Sequence, residues 1–333
     1  MDNLEFKALE VTETEEKRYQ REIVDKKIEQ LPPGDVIVQV HYSSLNYKDA
    51  LSASGNKGVT RNYPHTPGID AAGIVAESSD KAFKAGDKVI VTSYDLGMNT
   101  AGGFGQYIRV PAQWIVPLPQ ELTLHEAMCY GTAGFTAALS VYQLTAHNVK
   151  PDHGEILVSG ASGGVGSIAV AILAKIGYSV VAVNGLVDES AYLEKIGAHR
   201  VISIEEAIDL SGRPLLKSNY SGSIDTVGGE ILATSIKSVK ANGVVTSCGN
   251  VASPDLPLSV FPFILRGVTL VGIDSQNCAM VHRRKTWELL AGDWKLEMMN
   301  EVTENIVLSE LDDRIDKMLK GSHKGRSIVR MLD

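Results

Sequence analysis

The stretch Ile156-Leu157-Val158-Ser159-Gly160-Ala161-Ser162-Gly163-Gly164-Val165-Gly166 decides the fold of this chain. A short apolar run hands over to a glycine-rich turn. The small-residue, apolar segment Ser167 to Lys175 that follows, ended by Gly177, predicts a helix. Set against the dinucleotide fingerprint G-x-G-x-x-G, Ala161 takes the first glycine position, Gly163 the second and Gly166 the third. The chemistry asks for a tight turn, then a residue without Cβ where backbone meets a pyrophosphate, then close packing of helix on strand. A helix N-terminus supplies N–H groups and the positive end of a dipole, so Ala161, Ser162, Gly163, Gly164, Val165 and Gly166 form the expected phosphate cradle. A lone glycine fingerprint is weak evidence. Its place between a strand and a helix strengthens it, as does the second strand, Val180-Val181-Ala182-Val183, at the expected distance. The bland alternative is a glycine-rich turn that binds nothing.

Outward from this turn the alternation continues. A polar helix near Asp188 to Ile196 is followed by strands at Val201-Ile202, Ile224 to Val227, Val244 to Thr246 and Val268 to Val271. Strand–helix alternation over this length predicts a doubly wound α/β unit, a parallel sheet covered on both faces. The first 120 or so residues differ: Val36 to Val40, Ile69 to Val75 and Val89 to Val91 are β-branched runs separated by Pro32-Pro33-Gly34-Asp35 and Lys84-Ala85-Gly86-Asp87. The texture changes near Leu122, where Thr123 followed by Glu126 resembles a capping box. Helices are expected at Arg283 to Leu290 and around Leu308 to Leu319, with a final strand at Ser327 to Arg330.

The 333 residues carry 32 Lys+Arg against 40 Asp+Glu, a net charge of −8. An acidic chain is a poor partner for nucleic acid or an anionic membrane, both bound through clustered cations. Cys129, Cys248 and Cys278 are too few and too far apart for a disulfide framework or a four-cysteine zinc site. No apolar run reaches membrane-spanning length and the first residues lack a secretory pattern, so the expected location is the cytoplasm.

The end of the second strand bears on the cofactor. An NAD enzyme usually places Asp or Glu there for the ribose 2′-hydroxyl. Here stands Asn184, followed by Gly185-Leu186. A neutral residue removes the repulsion that excludes a 2′-phosphate, so NADPH is the expected cofactor, with NADH also usable.

Four further stretches carry a resemblance: Asn46-Tyr47-Lys48-Asp49, Gly68-Ile69-Asp70-Ala71-Ala72-Gly73, Tyr130-Gly131-Thr132-Ala133-Gly134-Phe135-Thr136, and Pro262-Phe263-Ile264-Leu265-Arg266-Gly267-Val268. With the glycine turn they resemble the medium-chain dehydrogenase/reductase superfamily, and within it the zinc-free YhdH/YhfP group of quinone oxidoreductases, which includes acrylyl-CoA reductases. The resemblance implies a GroES-like catalytic domain over 1–124 and 280–333 and a Rossmann nucleotide-binding domain over 125–279. It implies a homodimer joined through the last Rossmann strand, Val268 to Ile273. Zinc relatives carry Cys at the position of Asn46 and a His-Glu pair at Ile69-Asp70, and the groups present here bind zinc poorly.

The implied reaction moves hydride from NADPH to a quinone, or to Cβ of an enone or enoyl thioester such as acrylyl-CoA. Asn46, Tyr47, Asp49 and Asp70 are the implied catalytic group, while Thr132, Thr136, Asn184 and Arg266 join the phosphate turn in binding the cofactor. Tyr47 or a held water would donate the second proton. Two readings stand for Asn46 and Asp49, catalytic hydrogen bonding or helix capping. Asp70 is equally open between catalysis and structural pairing, and Arg266 between cofactor contact and an ion pair. Zinc-independent alcohol oxidation and a non-catalytic NADPH-binding protein remain as alternatives.

Overall fold

A computed structural model describes residues 4–185, 189–297 and 299–332. Its chain divides into two compact units, Met1–Thr132 with Gln276–Ala291 and Thr303–Asp333, and Ala133–Ser275 with Gly292–Val302. The division differs from the expected one: residues 125–132 and 276–279 fall in the first unit, and the second recovers a short piece of the C-terminal segment. Among the described residues no helix is long and apolar enough to cross a membrane.

In chain order the elements of the first unit are β1 (Glu5–Glu13), β2 (Tyr19–Lys27), β3 (Val36–Ser44), α1 (Tyr47–Ala53), β4 (Asp70–Ser78), β5 (Lys88–Thr92), β6 (Tyr107–Val110) and β7 (Ile115–Pro117). Helix α2 (Leu124–Ala146) runs out of this unit and breaks helical geometry at Gly131. The second unit contains β8 (Ile156–Val158), α3 (Gly164–Lys175), β9 (Val180–Asn184), α4 (Ser190–Lys195), β10 (Arg200–Ser203), α5 (Ile204–Ala207), β11 (Tyr220–Asp225), α6 (Gly229–Ser238), β12 (Val239–Ser247), α7 (Phe261–Arg266) and β13 (Thr269–Gly272). The chain closes with α8 (Met280–Ala291), α9 (Met299–Val302), β14 (Thr303–Val307), α10 (Leu311–Leu319) and β15 (Arg326–Arg330). The expected helix from Asp188 shortens to α4, and Leu186 and Asp188 lie outside the described residues.

The first unit is a sheet in the order β14-β15-β3-β4-β5-β7, with β6 also on β3. Alternate residues of β3, Val36, Val38 and Val40, join Val75, Val89, Val91, Phe104, Ile108 and Val329 in one apolar core. Strand β15 pairs antiparallel with β3, setting Ile328 opposite Ser44. This register brings Arg326 to the start of α1. On the other side of β3, Asp70 opens β4 and stands opposite Thr92 of β5.

The second unit is an all-parallel sheet in the order β10-β9-β8-β11-β12-β13. Strands β8 and β9 read as near-continuous apolar runs, as expected where helices cover both faces of a sheet, and every residue of β9 and of the more polar β11 is buried. The strand order reverses beside β8, the topological switch point at which open α/β sheets bind ligands outside the carboxyl ends of their strands. The glycine-rich turn sits at that end of β8.

Candidate active site and dinucleotide cradle

In the first unit a buried polar cluster forms around Asp70, which has no solvent exposure. Its carboxylate accepts hydrogen bonds from Ser44 Oγ at 2.6 Å, Asn46 Nδ2 at 2.8 Å, Thr132 Oγ1 at 2.6 Å and the Thr132 N–H at 2.9 Å. The balancing cation is Arg326, 2 % exposed, with Nη2 3.6 Å from Asp70 Oδ2. Arg326 also donates to the Leu45 carbonyl and Asn46 Oδ1, both at 3.0 Å, and to Ser44 Oγ at 2.7 Å. Burial pushes the guanidinium's pKa down and the Asp70 charge opposes that push. A buried charge survives only when paired and hydrogen-bonded, and both ends of this pair are.

Gly131 makes the cluster possible. It adopts φ 51°, ψ −155°, outside the region open to other residues. A Cβ there would stand 2.5 Å from Asp70 Oδ2 and from Ser44 Oγ, and 2.6 Å from Arg326 Nη2. The break in α2 thus turns the Thr132 N–H onto Asp70. Ser93, itself at φ 62°, completes the wall through a 2.8 Å bond between its hydroxyl and that of Thr132.

Asn46 caps α1, and Asp49 reaches back to the Asn46 N–H at 2.8 Å while accepting the Gly68 and Ile69 N–H groups at 3.2 and 2.8 Å. Asp49 is wholly buried and Asn46 nearly so. Of the four residues expected to be catalytic, only Tyr47 is open to solvent, 43 % exposed. The bonding of Asn46, Asp49 and Asp70 fits the capping and pairing readings: they hold the loop and helix that present Tyr47. Beside it, Lys48 donates to Gln276 Oε1 at 2.6 Å. Thr132 likewise spends its N–H and hydroxyl on Asp70.

Burial and the neighbouring Asp70 charge push the Asp49 carboxyl up from 3.8 to about 7. Below 3.8 it is protonated whether the chain is folded or not, and between the two values only the folded chain holds the proton. Its contribution to stability is therefore fully present below 3.8 and is lost as pH rises to about 7. Urea unfolding measured across this range should show stability falling with pH, and the fall should flatten in Asp49→Asn; an unchanged slope in the variant would assign the titration elsewhere.

In the second unit the glycine turn has the shape a pyrophosphate needs. The left-handed residue is Gly160 (φ 58°) rather than Ala161, the position matched to the first fingerprint glycine. A Cβ on Gly160 would meet Thr226 Oγ1 at 2.3 Å. Gly163 is the N-cap of α3, where a Cβ would find only the Gly160 carbonyl, at 3.3 Å. At Gly166 a Cβ would fall 2.2 Å from that same carbonyl and 2.7 Å from Ala161 Cα, so this glycine lets α3 lie against β8. No acidic residue occupies the first turn of α3. Ser162 Oγ reaches Asn184 Oδ1 at 3.5 Å, joining the turn to the end of β9. These features fit a dinucleotide phosphate.

One expected cofactor residue is placed differently. Arg266 donates to the carbonyls of Lys237, Val239 and Leu216, at the amino end of β12 and so at the opposite edge of the sheet from the glycine turn. Its guanidinium closes the chain around α7 instead of reaching the cradle. Thr136 is buried on α2, its carbonyl accepting the Ser140 hydroxyl at 2.9 Å. Arg326, Ser44 and Ser93 are not singled out by the sequence, and Gly131 is marked there only as part of the stretch from Tyr130 to Thr136. Arg326 lies 280 residues from Asn46, and no local spacing announces such a contact.

Residues 32–120 match the alcohol dehydrogenase GroES-like domain and residues 164–292 the family described as zinc-binding dehydrogenase. The putative quinone oxidoreductase YhfP of Bacillus subtilis is 44 % identical over 91 % of this chain and 92 % of its own, and its crystal structure with NAD bound matches with a TM-score of 0.96. The acrylyl-CoA reductase AcuI of Ruegeria pomeroyi is 42 % identical over 97 % of this chain and 98 % of its own. The structure of Escherichia coli YhdH with bound NADPH matches with a TM-score of 0.94 at 41 % identity, covering 98 % of this chain and all of that one. With both units matched and identity held over nearly its whole length, the chain belongs to the medium-chain dehydrogenase/reductase superfamily, in the family of YhfP and AcuI.

Proposed function

We propose that this protein is an NADPH-dependent oxidoreductase, able to use NADH, that reduces a quinone or the Cβ of an α,β-unsaturated carbonyl compound such as acrylyl-CoA. The observation that carries the reading is the glycine cradle at the switch point of the parallel sheet, where Gly166 admits a backbone approach no other residue allows. A bound nicotinamide supplies the hydride. The residues of this chain bind and orient: the turn from Ala161 to Gly166 holds the pyrophosphate, and Asn184 at the end of β9 stands by the ribose. In the first unit the cluster of Asp70, Arg326, Asn46 and Asp49 fixes the start of α1. Tyr47, the exposed member, has a phenolic hydroxyl that can donate to a carbonyl oxygen as it gains charge.

Tyr47→Phe should lower kcat by about 100-fold or more while the Kd for NADPH changes less than about twofold, because general acids contribute at this scale and the phenol is remote in sequence from the phosphate turn. Full activity in this variant would remove Tyr47 from the reaction. The reading as a whole is tested by NADPH oxidation against a panel containing acrylyl-CoA and a water-soluble quinone. If NADPH binds and raises Tm but neither acceptor is reduced, the protein is a cofactor-binding protein of another kind.

The same proposal includes a homodimer in the cytoplasm. All three cysteines are free thiols, as a reducing compartment keeps them. Strand β13 ends the sheet order, and the adjoining Val260, Phe261, Ile264 and Leu265 are all exposed. An unpaired strand edge beside an apolar patch is suited to a second copy related by a twofold axis. Ile264→Asp with Leu265→Asp should convert the dimer to a monomer in size-exclusion chromatography with light scattering; a wild type that is monomeric at micromolar concentration would refute the dimer.

A further inference from the structure

We propose that the exposed face of α8 is the phosphate-binding subsite for the nucleotide end of a coenzyme A thioester, an inference that rests on reading the acceptor as an enoyl thioester. Helix α8 buries Arg283, Thr286, Trp287 and Leu290 and turns the intervening side chains outward. A groove of about 700 Å³ runs over this face, lined by Met280, Val281, His282, Arg284, Lys285 and Glu288. That volume is in the range of nucleotide-sized pockets. In a chain of net charge −8, the groove gathers two fixed cations and a histidine against one carboxylate. The carboxylate, Glu288, is 3.7 Å from Lys285 with both side chains more than half exposed, a weak pair. Arg284 pairs with no carboxylate among the described residues.

The face is also tied to the site. Arg283 donates to Thr92 O and Oγ1 at 3.0 and 2.8 Å and to the Gln276 carbonyl at 3.2 Å, and its guanidinium lies 4.4 Å from the Tyr94 ring centroid. Gln276 in turn accepts Lys48, the neighbour of Tyr47. Arg283 is thus spent on fixing the helix, and the next residue, Arg284, is left outward. A quinone has no use for such a groove. Coenzyme A does: its 3′-phosphate and pyrophosphate suit a guanidinium fork and an ammonium, and Met280 and Val281 offer apolar surface to the adenine.

The test uses the whole protein and adenosine 3′,5′-bisphosphate as probe. Calorimetry should show the probe binding to wild type and at least about tenfold more weakly to Arg284→Glu/Lys285→Glu, the scale of one or two charge-assisted bonds. KM for acrylyl-CoA should rise about tenfold in the same variant, while KM for the truncated N-acetylcysteamine thioester and the Kd for NADPH stay unchanged. Equal probe affinity in variant and wild type overturns the subsite, as does an equal loss with the truncated thioester. A shift confined to NADPH affinity would assign the face to the cofactor and also overturn it. If the probe binds through Arg284 and Lys285 but only quinones are reduced, the subsite stands and the acceptor reading fails.

Discussion

Gly166→Val should raise the Kd for NADPH by about 100-fold, the equivalent of about 3 kcal/mol, at the upper end of what overpacking a close contact costs. The side chain must enter where a Cβ already lies 2.2 Å from the Gly160 carbonyl and 2.7 Å from Ala161 Cα. Helix α3 can only move away from β8, carrying the N–H groups of its first turn out of reach of a phosphate. Because both atoms are backbone, no rotamer change relieves the clash. Gly163→Ala separates the two roles of the turn. Its Cβ meets nothing closer than 3.3 Å, so Tm should be nearly unchanged, yet the methyl group occupies the point where the fingerprint brings backbone to pyrophosphate. Fluorescence titration with NADPH reads both variants. Wild-type affinity in Gly166→Val would mean that the cradle does not bind the cofactor.

Arg326→Leu should lower the unfolding free energy by about 3–5 kcal/mol, the cost of leaving a buried charge without its partner. Asp70 would keep its donors from Ser44, Asn46 and Thr132 but lose the cation 3.6 Å away. The Leu45 carbonyl and Asn46 Oδ1 would lose their donor in the same change. Pairing the substitution with Asp70→Asn should recover part of the loss, since a carboxamide needs no counter-charge; the double-mutant cycle isolates the coupling. A single-variant loss below about 1 kcal/mol in urea would show that the pair is dispensable.

The contrast between these two positions explains what the sequence could disclose. Gly166 was readable because its constraint is local: strand, turn and helix follow one another, and the glycine spacing reflects contacts within a few residues. Even there the left-handed turn falls on Gly160, one residue before the position matched to the first fingerprint glycine, with the Thr226 hydroxyl packed on it. Arg326 answers to residues about 280 positions away, brought together by the pairing of β15 with β3. The stretch Asn46 to Asp49 was located but its roles stayed open, because a capping loop and a carbonyl-binding loop use the same amide and carboxylate side chains. Burial separates them, and burial is a tertiary property. Arg266 failed for a related reason: proximity to an apolar strand did not reveal which end of the sheet it would occupy.

The late arrival of Arg326 has a kinetic side. Residues 133–275, with all six strands of the parallel sheet, can pair and pack soon after they leave the ribosome, because their partners lie close in sequence. The first unit has no such liberty. Asp70 is made early, yet the guanidinium that pairs with it in the core emerges hundreds of residues later, so the nascent β-rich unit must wait with that carboxylate hydrated. Synthesis of this protein should therefore pass through a state whose nucleotide-binding half is folded while its polar cluster is still open to water.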